Sequence, residues 1–278
     1  MLIAATSAAH FITISQPPGA RMLAFCATVF LSMKFIVQIE AGRNDGVFLH
    51  LVGWIQFVLL WPGMRPIIFA APRSPQKGAT GVLLGGAARI AAGFSLCWLA
   101  RYAWNHWPIA GPPHFIVFLL VCVFLIGISL VLHFGVFNIA TAAWRFYGIN
   151  APVLFRKPAS SKNLAEFWSR RWNTAYSEMM TQAVYRPANT IAGRDAATWS
   201  VFLISGFLHE IAISLPVSAG YGLPTGYFLL QALFIKLEES VALKGPWAKL
   251  YTFAAILLPA PLLFHAPFVR GVVLPLLH

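Results

Sequence analysis

Charge is scarce in this sequence, and acidic charge scarcest. Asp, Glu, Lys and Arg make up 10% of the 278 residues, eight acidic against twenty basic. So little charge excludes an ordinary soluble globular domain, in which roughly a quarter of residues are charged. Cysteine is also sparse. Cys26, Cys97 and Cys122 each sit inside an apolar run with no pair spacing, which excludes a disulfide framework or a redox pair and leaves packing residues. Residues 1–10 lack the basic stretch of a cleaved secretory signal, so they are expected to remain as a short interfacial or partly spanning helix. No internal repeat or low-complexity tract divides the chain, and one membrane-embedded domain over residues 1–278 is expected.

What is present is apolar. Hydrophobic residues make up 59% of the chain and the mean hydropathy is +0.72. Several runs approach the roughly 18 to 20 residues that cross a hydrocarbon core of about 30 Å, and their continuity favours helices over the alternating strands of a barrel. The clearest runs are 21–39, 80–104, 115–140, 197–216 and 250–264, with shorter ones at 47–61 and 227–235. Lys34 interrupts the first and is expected to snorkel toward an interface. A polar turn is expected at 40–46, where Gly42, Asn44, Asp45 and Gly46 are breakers. The run 80–104 is rich in glycine and alanine, which allow close helix approach. The predicted class is an all-α, polytopic integral membrane protein with about seven or eight transmembrane or re-entrant helices, plus an interfacial helix on the cytoplasmic side.

The net charge of +12 is spread between apolar runs rather than gathered in a patch, which argues against nucleic acid. By the positive-inside rule the basic segments 65–78, 145–194 and 236–249 are expected on the cytoplasmic side. Arg89 lies within a span and is expected to face the protein interior or an interface.

The polar stretch 160–210 stands out. Asn163 is a plausible N-cap, with Glu166 at the capping-box position. A helix from Asn163 to Ser177 would line up Glu166, Arg170, Asn173 and Ser177 on one face, with Trp168 and Trp172 on another. An interfacial anchor explains the aromatics and cations, but has no need of the amide of Asn173. Further on, His209 and Glu210 lie roughly twelve residues into the run 197–216, about 18 Å along a helix. Ionisable groups at such depth usually face a cavity or a partner, and Ser205 sits one turn before His209. Glu210 points about 100° away from His209 around the helix, which suits a structural partner such as Arg89. The other histidines mostly lie near predicted span ends, with His133 the least clear.

Three motifs in order, Glu-Phe-Trp-Ser-Arg-Arg-Trp-Asn (166–173), Val-Tyr-Arg-Pro (184–187) and Phe-Leu-Ile-Ser-Gly-Phe-Leu-His-Glu (202–210), resemble the wax synthase branch of the membrane-bound O-acyltransferases. Residues 227–238 resemble the family's next helix, so the motif-bearing core runs over about 160–239. The resemblance implies His209 as the active-site histidine and Asn173 as a second signature polar residue. It implies a fatty acyl-CoA donor from the cytosol as co-substrate, with no other cofactor, and a lipid alcohol acceptor arriving through the bilayer. Arg170, Arg171 and Trp172 fall on the donor side, where guanidinium groups suit CoA phosphates. His209 would then act as general base on the acceptor hydroxyl, with Asn173 donating to the developing oxyanion or orienting the histidine. That chemistry calls for no metal.

Two other readings stay open. An acyltransferase with a sugar, sterol, glycerolipid or peptide acceptor would carry the same motifs. A transporter or channel would use Arg89, His209 and Glu210 as a polar pathway, although the missing repeat and the large aromatic-basic block speak against it.

Overall fold

The computed structural model describes residues 1–108, 111–241 and 243–278; position 242, inside the basic segment 236–249, lies outside them. Among the described residues the regular structure is entirely helical. The main elements are α1 (Leu2–Thr13), α2 (Pro18–Asp45), α3 (Leu51–Leu59), α4 (Ala79–Asn105), α5 (His114–Phe146), α6 (Thr174–Val217), α7 (Leu223–Val241), α8 (Gly245–Leu263) and α9 (Ala266–Leu277). Five of them, α2, α4, α5, α6 and α8, are long and apolar enough to cross a membrane. An all-α, multi-span membrane architecture is therefore borne out.

The chain forms two compact units. One comprises residues 1–48 and 156–272, the other residues 49–155 and 273–278. In the second unit α4 and α5 pack closely, because glycines meet where they cross. A Cβ on Gly93 would come within 2.6 Å of the Gly127 carbonyl oxygen, and one on Gly127 within 2.6 Å of Cys97 Sγ. The small-residue stripe in 80–104 thus serves the close approach it suggests. Arg89 is exposed and donates to the Gly85 carbonyl oxygen on its own helix, 2.7 Å away. His133 bonds Ser129 Oγ one turn earlier, at 3.0 Å. The α3 helix is nine residues long, too short to span at 1.5 Å per residue.

In the first unit, helix boundaries differ from expectation at two places. The expected turn at 40–46 is helical to Asp45; only Gly46 stops α2, adopting φ 64° and donating its N–H to the Ala41 carbonyl. A single left-handed glycine is enough to end a helix, whereas Gly42, Asn44 and Asp45 merely weaken one. Likewise α7 continues to Val241 through the segment expected as loop from Lys236, where Lys236 pairs with Glu239 three residues on and with Asp195. Lys34 also departs from expectation: it is fully buried, with its ammonium 5.1 Å from the Phe30 ring centre. It faces packed helices, so its side chain runs over an aromatic face rather than outward.

The core of this unit is built by Leu164, Phe202, Tyr227, Phe228, Ala232, Ile235 and Ala255, with Trp168 packed against it. All of the motif-bearing stretch 160–239 falls within this one unit.

Candidate active site

The first motif starts as its sequence predicts. Asn163 Oδ1 accepts from the Glu166 amide at 2.7 Å, and Glu166 Oε2 accepts in return from the Lys162 amide at 2.7 Å. This is a capping box displaced by one residue. After it the helix does not run on to Ser177. Phe167–Arg171 forms a widened turn in which the Trp172 amide reaches the Phe167 carbonyl, Trp172 is extended, and Asn173 is left-handed at φ 43°. Asn173 then caps a new helix, its Oδ1 accepting from the Tyr176 amide at 3.2 Å. The single amphipathic face proposed for 163–177 is therefore broken. Helical spacing missed this because asparagine is both a tolerated left-handed residue and a favoured N-cap.

The break fixes the amide chemically. A backbone N–H needs an acceptor, so Oδ1 is committed to the cap and the NH2 group of Asn173 is the free end. It makes no hydrogen bond among the described residues.

The two arginines differ. Arg171 is held on all sides: Nε and Nη2 lie 2.9 and 2.7 Å from Glu166 Oε1, and Nη1 reaches the carbonyls of Arg156 and Lys157. The Lys162 amide first, helped by the Arg171 guanidinium, holds the Glu166 carboxyl below its usual range against the opposing effect of desolvation. Arg171 therefore braces this turn against the preceding strand of chain, where the Arg156 amide returns a bond to the Arg171 carbonyl at 2.8 Å. Arg170 is exposed and forms no ion pair among the described residues. Trp172 stacks on Phe167, with ring centres 5.6 Å apart and planes 12° from parallel.

The segment 179–196, which must fold back if the stretches bearing Asn173 and His209 are to meet, does so as helix. The reversal in α6 is at Gly193, with φ 80° and ψ 176°, a region essentially confined to glycine. Tyr176 and Ser205 would be roughly 43 Å apart on one straight helix, yet the Tyr176 hydroxyl donates to Ser205 Oγ at 2.9 Å. The arms 174–192 and 194–217 thus lie side by side. Arg194 to Glu239 and Lys236 to Asp195 tie the reversal to α7.

On the second arm His209 is half-buried. Its Nδ1 lies 2.7 Å from the Ser205 carbonyl oxygen. A carbonyl only accepts, so Nδ1 carries the hydrogen, and in the neutral ring Nε2 is the nitrogen that holds the lone pair. The ring packs on Phe228 at 4.3 Å between centres, and Phe228 also packs on Trp168 at 5.8 Å. Trp168 donates to Gln231 Oε1 at 3.2 Å, and Ser177 donates to the Trp168 carbonyl at 2.6 Å. A chain of contacts therefore joins the two predicted residues. Asn173 caps Tyr176, Tyr176 holds Ser205, and Ser205 holds His209. Tyr176 lies outside the three motifs and Gln231 within 227–238, and only their contacts with Ser205 and Trp168 reveal what they hold.

Glu210 begins a widened turn, residues 210–214, of the kind often found at functional sites. Its partner is not an arginine. Oε1 accepts from the amides of Gly222 and Thr225, both at 3.0 Å, and from Thr225 Oγ1 at 2.9 Å. It caps the start of α7, where a carboxylate also meets the favourable end of the helix dipole.

Fold and site together describe a polytopic helical membrane protein in which a histidine and a side-chain amide are joined through Tyr176 and Ser205. Residues 151–230 match the model of the Membrane bound O-acyl transferase family. The chain is also similar to curated long-chain-alcohol O-fatty-acyltransferases. It is 24% identical over 139 residues to the probable long-chain-alcohol O-fatty-acyltransferase 8 of Arabidopsis thaliana, covering 47% of this chain and 41% of that protein. It is 27% identical to the long-chain-alcohol O-fatty-acyltransferase of Simmondsia chinensis, over 46% of this chain and 38% of the relative. A third, the probable long-chain-alcohol O-fatty-acyltransferase 1 of Arabidopsis thaliana, is 29% identical over 36% of this chain and 31% of its own length. The matches thus span about two-fifths or less of those relatives. The membrane-bound O-acyltransferase resemblance, with its wax synthase-like branch, is borne out over this segment.

Proposed function

We propose that this chain moves a fatty acyl group from acyl-CoA to the hydroxyl of a lipid alcohol. The observation that carries the reading is the orientation of His209. With Nδ1–H bound to the Ser205 carbonyl at 2.7 Å, Nε2 of the neutral ring is left to accept a proton, as a general base requires.

The reaction then balances in two movements. Nε2 takes the proton of the acceptor hydroxyl while its oxygen bonds to the thioester carbonyl carbon. The tetrahedral intermediate collapses with loss of the C–S bond, and the imidazolium returns the proton to the departing thiolate. The free NH2 of Asn173 donates to the oxyanion in between, a role for which one well-placed donor is worth about 10² to 10³ in rate. Ser205 and Tyr176 hold the base and the amide in register. Exposed Arg170, with Trp172 beside it, meets the CoA phosphates and adenine on the side where the basic segments lie, which the charge bias makes cytoplasmic. Arg171 serves the same region as a brace.

The test is ester formation by membranes or nanodiscs carrying the full chain, given labelled long-chain acyl-CoA and a panel of hydroxyl acceptors. Transfer to long-chain alcohols above sterols, sugars and diglycerides is expected. Preference for another acceptor would move the assignment within the family, and no transfer to any hydroxyl would favour the transporter reading.

A further inference from the structure

His265 stands outside the three motifs and outside the residues matched by the family model, yet it is 2% exposed and both of its ring nitrogens are engaged. It lies between α8 and α9. Its Nδ1 accepts from the Phe268 amide at 3.2 Å and so caps the start of α9. An amide only donates, which leaves Nδ1 unprotonated and places the hydrogen of the neutral ring on Nε2. Nε2 therefore donates to Ser214 Oγ at 3.2 Å, and Ser214 gives its own hydrogen to the Gly220 carbonyl at 3.3 Å. This tautomer is the opposite of the one on His209, and a ring protonated on both nitrogens would lose the Phe268 bond.

Ser214 is the last residue of the widened turn that Glu210 begins beside His209. Gly220 lies against the imidazole of His265: a Cβ there would come within 2.5 Å of Cε1, and its φ of 79° favours glycine. Beyond it, the Gly222 amide and the amide and hydroxyl of Thr225 are the donors to Glu210 Oε1. Thr225 also meets α6 at Gly206, one turn before His209, where a Cβ would fall 2.7 Å from the Thr225 Cα. One turn further along α7, Phe228 packs on the His209 ring at 4.3 Å between centres. The loop from Ser214 to Thr225 is thus pinned at both ends, by His265 through Ser214 and Gly220 and by Glu210 through Gly222 and Thr225. Held at one end only, it would let the first turn of α7 shift, and with it the aromatic face against which the imidazole rests.

We infer that His265 is a positioning residue for His209, acting through Ser214, Gly220 and the first turn of α7. The inference rests on the acyl-transfer reading for its effect on rate, and a second readout needs no turnover. Two substitutions divide the work of the two nitrogens. His265→Asn keeps an acceptor near the Nδ1 position, a good N-cap, and loses the donor to Ser214. His265→Gln extends an amide donor toward Ser214 and gives up the cap. In nanodiscs carrying the full chain, His265→Asn and Ser214→Ala should each lower kcat about threefold to tenfold, as loss of one buried hydrogen bond does, with KM for acyl-CoA and alcohol unchanged. The double variant should fall no further than either single one. His265→Gln should keep more of kcat than His265→Asn while melting at a lower temperature. A purely structural brace predicts the reverse, activity following melting temperature; that order, or additive losses in the double variant, would overturn the inference. The second readout is NMR of the same samples prepared with nitrogen-labelled histidine. The His209 ring signals should move in His265→Asn and Ser214→Ala and return toward wild type in His265→Gln. Signals that stay in place in all three variants would overturn the inference as well. No ester formation by wild type, with the His209 signals moving as expected, removes only the acyl-transfer reading.

Discussion

Asn173 carries two jobs on one side chain, and they can be separated. Its Oδ1 caps the helix that begins at Thr174, while its NH2 is the proposed oxyanion donor. Asn173→Asp keeps a good N-cap oxygen and removes the donor. It should therefore lower acyl transfer by about 10² or more with little change in thermal unfolding. Asn173→Ala should lose activity to a similar extent and also destabilise, because a lost cap costs about 1 kcal/mol. Equal activity of Asn173→Asp and wild type would remove the amide from the reaction. Both roles bear on what was legible at this scale. An amide among aromatics marked Asn173, and a His-Glu pair inside an apolar run marked His209. The capping role was hidden, since residue spacing alone cannot tell a continuous helical face from two helices joined at a left-handed asparagine. Glu210 was legible as a structural partner, but its actual partners are two backbone amides and the Thr225 hydroxyl, and backbone amides leave no trace in side-chain sequence.

Among the elements, α6 decides whether a site exists at all. Its turn at Gly193 uses φ 80° and ψ 176° with open space around a Cβ, so any penalty for a side chain there is purely backbone strain. Gly193→Ala should cost about 1 to 3 kcal/mol, separate Tyr176 from Ser205 and lower activity together with melting temperature; a silent substitution would refute the reversal. The capping element 163–171 answers to pH instead. The Lys162 amide and Arg171 hold the Glu166 carboxyl below its usual range, so the folded state binds that proton less readily than the unfolded chain. Its contribution is present above the ordinary carboxylate range and is lost as pH falls through the lowered value. The gap in melting temperature between wild type and Glu166→Gln should therefore be open at neutral pH and close in acid; a gap that stays constant would contradict the assignment. Sequence located this cap and the long spans. It could not show that the fold-back is helical, because one glycine in a helix-compatible run reads as tolerated rather than as a reversal. The extension of α2 past Gly42, Asn44 and Asp45 was missed for a related reason: weak helix formers do not stop a helix unless one of them turns left-handed, as Gly46 does.

For the molecule as a whole, scarcity of charge was the most informative property. Ten per cent charged residues and a mean hydropathy of +0.72 dictate helices that bury their own backbone bonds, and among the described residues five helices are long and apolar enough to span. The first compact unit, residues 1–48 and 156–272, gathers the motif-bearing segment and the Asn173–Tyr176–Ser205–His209 chain. The acyl-transfer account stands on His209 as the base, and the most direct test is ester formation from acyl-CoA and a long-chain alcohol by wild type and His209→Ala at matched membrane abundance. A fall of at least about a hundredfold is predicted, in line with loss of a general base, with the variant still folded in detergent. Ester formation unchanged in His209→Ala would contradict the account.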